Sequence, residues 1–269
     1  MPLQNRVDPS GVIFRTAARG TLMGNRGGVI HNDAQQIVRQ YSSRRWIACV
    51  LEFKGRKREV MRPNRYTELF FLDEAVALAA GHRPCAECRR ERFNAFREAW
   101  KHSAGRPALD PLLAPEMDAE LHRTRIDIRR RKVTYRARLD SLPNGCFVSI
   151  DEASYLVWDD ALLLWSPEAY VKQERRPKGL TVTVLTPEPI VRCVRHGYRP
   201  AVHQSAFAVR LGAFPGLGHR DLATKVGRKW FPIFRNIRAS DTSQLPSSLD
   251  LVQNGVSPVT DPHPLSFSR

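Results

Sequence analysis

The chain is short of acid and short of sulfur. Its 269 residues carry 27 Asp and Glu against 43 Lys and Arg, a formal charge of +16. A field of that sign concentrates polyanions at the surface and points to nucleic acid or an anionic membrane as a partner, with an acidic protein as a third class. Five cysteines, an odd number in no regular framework, exclude a secreted disulfide scaffold and fit a reducing compartment. The first residues, M-P-L-Q-N-R-V-D-P, lack the apolar run of a secretory leader. The longest apolar stretch, Tyr155 to Trp165, is interrupted by Asp159 and Asp160, so no membrane span is expected and a cytoplasmic location is. Catalytic signatures are missing as well. There is no G-K-S/T loop, no G-x-G-x-x-G between a strand and a helix, no H-E-x-x-H and no G-x-S-x-G. The acids Glu52, Glu59, Glu68, Asp73 and Glu74 fall in no spacing with mechanical meaning. With ordinary apolar content, these absences leave a globular α+β protein in which binding is the leading class. The alternative is a metal-dependent nuclease-like or DNA-modifying enzyme.

What is present centres on Leu72 to Arg90, L-D-E-A-V-A-L-A-A-G-H-R-P-C-A-E-C-R-R. Leu72, Ala75, Val76, Leu78 and Ala79 follow helical spacing behind Asp73, which can cap the first turn. Gly81 stands where a left-handed C-terminal residue belongs. Pro84 ends any helix and delivers Cys85 and Cys88 on a tight turn, the two-residue gap from which two thiolates reach one tetrahedral ion. A redox dithiol wants its first cysteine at a helix N-terminus after a strand, whereas this pair follows a helix end, so metal is the stronger reading.

The string from Leu69 to Cys88, with Phe70-Phe71, E-A-V-A-L-A-A-G and G-H-R-P-C-A-E-C, resembles the second half of the Ada-type metal-binding domain of bacterial alkylation-repair proteins. The resemblance spans about twenty residues. It implies a small α/β unit holding Zn²⁺ on four cysteines, two of them Cys85 and Cys88, and touching DNA. That family's upstream pair, C-x-x-x-C, has no counterpart in Phe53 to Arg58 (F-K-G-R-K-R), and its reactive P-C-H-R-type motif is also absent. Alkyl transfer is therefore not implied. Cys49 and His31 are expected to complete the metal site, since ligands from a separate hairpin would tie N-terminal strands to the knuckle; His82 and His102 are local substitutes.

Around this unit the pattern reads in order. Val12 to Phe14 and Trp46 to Phe53 are strand-like, and Glu59 to Met61 reads as a return strand. Arg19 to Asp33, with four glycines, reads as turns between strands in preference to an anion nest. Arg89 to Lys101 is a helix whose Phe93, Phe96 and Trp100 form a core stripe, leaving Arg89, Arg90, Arg92 and Arg97 as first candidates for phosphate contact. A short helix is expected from about Pro115 to His122. Arg123 to Arg138 then holds eight basic residues against Asp127, with Arg129, Arg130, Arg131 and Lys132 consecutive, the second candidate nucleic-acid face. Short β runs follow from Leu142, then a helix from about Pro189 to His196 ending in G-Y-R-P, a four-residue echo of G-H-R-P. Cys146 and Cys193 read as core. The expected organisation is an Ada-like zinc-knuckle domain at 1–104, a linker, short helix and basic run at 105–141, a small mostly-β domain at 142–206, and a basic, aromatic arm with a disordered tail at 207–269. The function expected is zinc-stabilised binding of nucleic acid, DNA before RNA, with a link to repair or processing.

Overall fold

A computed structural model describes residues 1–55, 59–104 and 113–210. The arm beyond Arg210 and the tail lie outside the described residues. The architecture is α+β with two six-stranded sheets. The first sheet takes β1 (Gln4–Val7), β2 (Ile13–Arg15), β3 (Leu22–Arg26), β4 (Trp46–Cys49), β5 (Leu69–Phe71) and the two-residue β6 (Arg83–Pro84), in the order β2-β1-β5-β3-β4-β6. Two of its pairings are parallel, β1 with β5 and β4 with β6. The second sheet is antiparallel throughout. Its order is β11-β10-β9-β8-β12-β7, from β7 (Tyr135–Arg138), β8 (Phe147–Ile150), β9 (Ala153–Trp158), β10 (Ala161–Trp165), β11 (Tyr170–Arg175) and β12 (Thr181–Val184).

Among the described residues five α-helices accompany the sheets: α1 (Glu74–Ala79), α2 (Arg90–Ser103), α3 (Ala114–Arg125), α4 (Glu188–Arg195) and α5 (Ser205–Arg210). Helix α1 begins where the sequence places it, with the Asp73 side chain accepting from Val76 N–H at 2.9 Å, and ends before Gly81, at φ +87°. Gly197 after α4 has φ +99°, so the two G-x-R-P strings share a capping geometry: a left-handed glycine turns the chain out of a helix. Phe93, Phe96 and Trp100 of α2 are buried as the stripe requires.

The strand expected over Trp46 to Phe53 stops at Cys49, and Glu59 to Met61 forms a turn and no strand. There Glu68 accepts the Met61 N–H at 2.8 Å and so occupies the backbone donor a ladder would have used. Arg123 to Arg138 divides into the end of α3, a tight turn and β7.

The expected boundaries near 104 and 141 do not separate compact units. The described residues cluster as one compact unit. Leu69, Phe71 and α1 share a core with Phe147, Leu156, Leu163 and Tyr170 of the second sheet, and α2 packs with α3, α4 and the strands β8 and β12 in another. Polar bonds reinforce the joint at the start of α1. Asp73 Oδ2 accepts from Tyr170 OH at 2.7 Å and from His203 N–H at 2.8 Å, while Glu74 accepts from Tyr198 OH and from Ala201 N–H at 2.8 Å.

Candidate metal centre

The first sheet has two chemically distinct faces, because side chains alternate along a strand. Ala48 and Phe71 enter the core shared with α1 and the second sheet. Ile47, Cys49 and Phe70 belong to the other face, where a small cluster joins Met23, Cys85 and Cys88. Parallel pairing of β4 with β6 sets Ile47 against Arg83 and Ala48 against Pro84, and Cys85 N–H continues the ladder to Ala48 O at 2.9 Å. Cys49 and Cys85 are thereby carried forward side by side from adjacent strands. The next residues curl: Arg89 N–H reaches Cys85 O at 3.2 Å, which brings Cys88 back to the same place.

The three Sγ atoms lie within 4.8 Å of one another. Thiolates on a tetrahedral zinc stand about 3.8 Å apart, given a Zn–S bond of about 2.3 Å, so only a small contraction separates this arrangement from a coordinating one. Cys49 and Cys85 are buried and Cys88 is half-buried.

The proton distribution also fits a metal site. Cys85 is biased toward thiolate, first by the Cys49 side-chain hydrogen bond and then by N–H groups of Cys88 and Glu87, the latter at 3.4 Å. Cys49 holds its proton well above the usual thiol range because it donates to Cys85 and is buried. Burial raises Cys88 as well, against a Val50 N–H that points at its sulfur. Amides directed at sulfur are what stabilises thiolates on a cation, and an arriving ion would displace the remaining protons. Among the described residues this is the single group of three or more metal-capable side chains.

Several expected site residues lie elsewhere. His31 is not in the thiol group; it is buried with Nδ1 2.6 Å from Thr67 Oγ1, on a bridge between His31 and Ile37. The residue placed beside β6 by pairing is Cys49, and His31 lies beyond β3, in the loop leading to β4. His82 packs against Trp46 and Phe71, with Nε2 accepting from Arg26 Nε at 3.5 Å. Burial and the adjacent arginines push it well below its ordinary value, so its ring stays neutral.

The first candidate phosphate face is largely committed inside the fold. Arg89 ion-pairs with Glu74 at 2.9 Å and Arg92 joins the same carboxylate. Arg97 lies 3.8 Å from Glu98 and is half-buried, which leaves Arg90 as the exposed member. For Arg89 and Arg92 the cause is Glu74, a buried anion at a helix start that attracts the nearest arginines inward. On the second face Arg129, Arg130 and Arg131 are exposed on the turn between Asp127 and Arg131, where Arg131 pairs with Asp127 at 2.9 Å, and Lys132 is half-buried.

No family model, curated protein or solved structure matches the chain. Its site is therefore read from its own geometry. Among the described residues no group of three or more carboxylates converges: Glu68 caps Met61, and Asp73 and Glu74 accept from tyrosines, amides and arginines. No helix among the described residues is long and apolar enough to cross a membrane.

Proposed function

We propose that this chain is a nucleic-acid-binding protein, DNA before RNA, stabilised by Zn²⁺ on Cys49, Cys85 and Cys88, with a role in DNA repair or processing. The observation that carries the metal half is the convergence of the three sulfurs from two paired strands and a knuckle. All-sulfur donors favour zinc or another soft ion over magnesium or calcium. The polyanion half is supported by the +16 balance and by Arg90, Arg123, Arg129 and Arg130, which are exposed.

Among the described residues three donors converge, which leaves one vertex of a tetrahedron open to a further ligand, as in metal sites that do chemistry. This favours a second reading, a metal-dependent DNA-modifying or nuclease-like enzyme. Incubation of plasmid with zinc-loaded protein separates the two: a binder shifts the DNA and an enzyme changes it covalently.

The purified chain should carry close to one zinc, which Cys85→Ser abolishes while Cys146→Ser and Cys193→Ser retain it. Equal zinc in all three variants would remove the metal from the reading. DNA retention should fall steeply with salt, and the double change Arg129→Glu, Arg130→Glu should flatten the log–log salt slope by about 2. Retention indifferent to salt would exclude the polyanion.

A further inference from the structure

On the other side of β4 from the thiols, three basic side chains are gathered; the acids that act on them, Asp8 on Arg26 and Lys132 and Asp118 on Arg125, form no direct ion pair with them, and Asp118 is paired with Arg83. Arg26 ends β3, Arg125 ends α3, and Lys132 is bridged back to Ile126 after the turn. The guanidinium carbons of Arg26 and Arg125 lie 4.1 and 4.0 Å from the centroid of a Trp46 ring. All three side chains donate to main-chain carbonyls. Arg26 reaches Gly11 O at 2.8 Å, Arg125 reaches Gly81 O at 2.7 Å and also Arg44 O, and Lys132 reaches Ala79 O. None of the three forms an ion pair among the described residues.

Carbonyl dipoles orient a buried cation but do not neutralise it, so the fold holds like charges together at a cost that a bound anion would offset. The groups respond accordingly. Burial pushes all three below their ordinary values, Lys132 to about 7, with Arg26 adding to the effect on Lys132 and Asp8 opposing it. Arg125 is fully buried, and its Nε has no hydrogen-bond partner.

These cations face a space. A pocket of about 320 Å³ is lined by Arg26, Arg125, Lys132 and Trp46, with apolar walls from Val12, Ile13 and Ile126 and with Arg129 and Arg130 also contributing. Its volume is at the small end of the range for organic ligands, well above that of a bare ion. Cations on one wall and aliphatic side chains on another suit a ligand with an anionic head and a compact body.

We infer that this pocket binds a phosphate monoester carried on a compact organic group, with Arg26 and Lys132 at the phosphate and Arg125 behind them adding its charge to the wall. A free nucleotide and the terminal nucleotide of a 5′-phosphorylated strand both have that chemistry. The site rests on buried Arg26 and Arg125 and half-buried Lys132, and it holds whether or not the exposed arginines follow a nucleic-acid backbone.

The test uses the full chain with adenosine 5′-monophosphate and inorganic pyrophosphate as probes, adenosine and sodium chloride at matched ionic strength as controls, and calorimetry with thermal melting as readouts. Adenosine 5′-monophosphate should bind saturably and raise the melting temperature, with pyrophosphate competing for the same site and no effect from the controls. Lys132→Met should weaken that binding about tenfold or more, as expected on losing one charge-assisted contact. Absence of saturable adenosine 5′-monophosphate binding to the unaltered protein overturns the inference, and so does unchanged affinity in a folded Lys132→Met. If that variant does not fold, the comparison of phosphate probes with adenosine decides alone. Competition by 5′-phosphorylated against 5′-hydroxyl oligonucleotides then names the source: a preference for the phosphorylated strand assigns the site to a strand end, and equal competition assigns it to a free phosphorylated molecule. Loss of salt-dependent DNA retention with intact phosphate binding would sink the polyanion reading and leave this site standing.

Discussion

At the residue scale, adjacent acids at the start of α1 carry different burdens. Asp73 is enclosed, and burial lifts it from 3.8 to about 6 despite N–H donors from Val76 and His203 and the Tyr170 hydroxyl. A carboxyl raised in the fold binds its proton more tightly there than in the unfolded chain. Its contribution to stability is therefore greatest with the proton on. It declines as pH rises from about 4 to 6 and is flat above that, a loss on the order of 3 kcal/mol. Denaturation of the unaltered protein and of Asp73→Asn across pH 4 to 7 checks this: the variant should lack that decline, and parallel profiles would contradict it. The capping role of Asp73 was legible from one helical stripe with an acid before it. Its second partner, Tyr170, lies 97 residues away and no local pattern reveals it. The same holds for Arg89 and Arg92, which face an acid on another helix and read from sequence as free.

At the element scale, the glycine after α1 serves both the helix and the cation pocket. Gly81 has φ +87°, and a Cβ there would meet Arg125 Cδ at 2.7 Å, while its carbonyl accepts from the same arginine. Gly81→Ala should cost about 1–3 kcal/mol from the left-handed backbone alone. Because Arg125 must shift, it should also disturb the pocket. Urea denaturation measures the first effect, and a midpoint within error of the unaltered protein would refute it. The helix stop was readable from Gly81 and Pro84 together. The pressure of Arg125 on Gly81 was not, since α3 is separated from α1 by a stretch rich in proline whose path the spacing leaves open. Strand length is a second such case: β-formers dominate Trp46 to Phe53, yet the strand ends at Cys49, the last residue to pair with β3, with β6 on its other side only two residues long.

At the scale of the whole molecule, that short edge strand sets the consequence of metal loss. β6 is held to β4 by two residue pairs and the Cys85 amide, so an ion on Cys49, Cys85 and Cys88 would add a link between elements that pair weakly. Chelation of the zinc-loaded protein should lower its melting temperature by on the order of 10 °C, restored by added zinc. An unchanged melt would show that the thiols contribute little to cohesion. Sequence alone determined whatever depends on neighbours along the chain: the basic excess, the capped helix, the C-x-x-C turn, the α2 stripe and the antiparallel run of short strands. Tertiary structure alone decided which distant groups meet. It set Cys49 beside Cys85 through the β4–β6 pairing and left His31 outside the thiol group, turned Arg89 and Arg92 toward Glu74, joined parts of the expected domains in shared cores and gathered Arg26, Arg125 and Lys132 on one pocket with Trp46. Spacing specifies which way a side chain leaves its own element, whereas partnership across elements is settled by packing and by the requirement that buried charge be compensated.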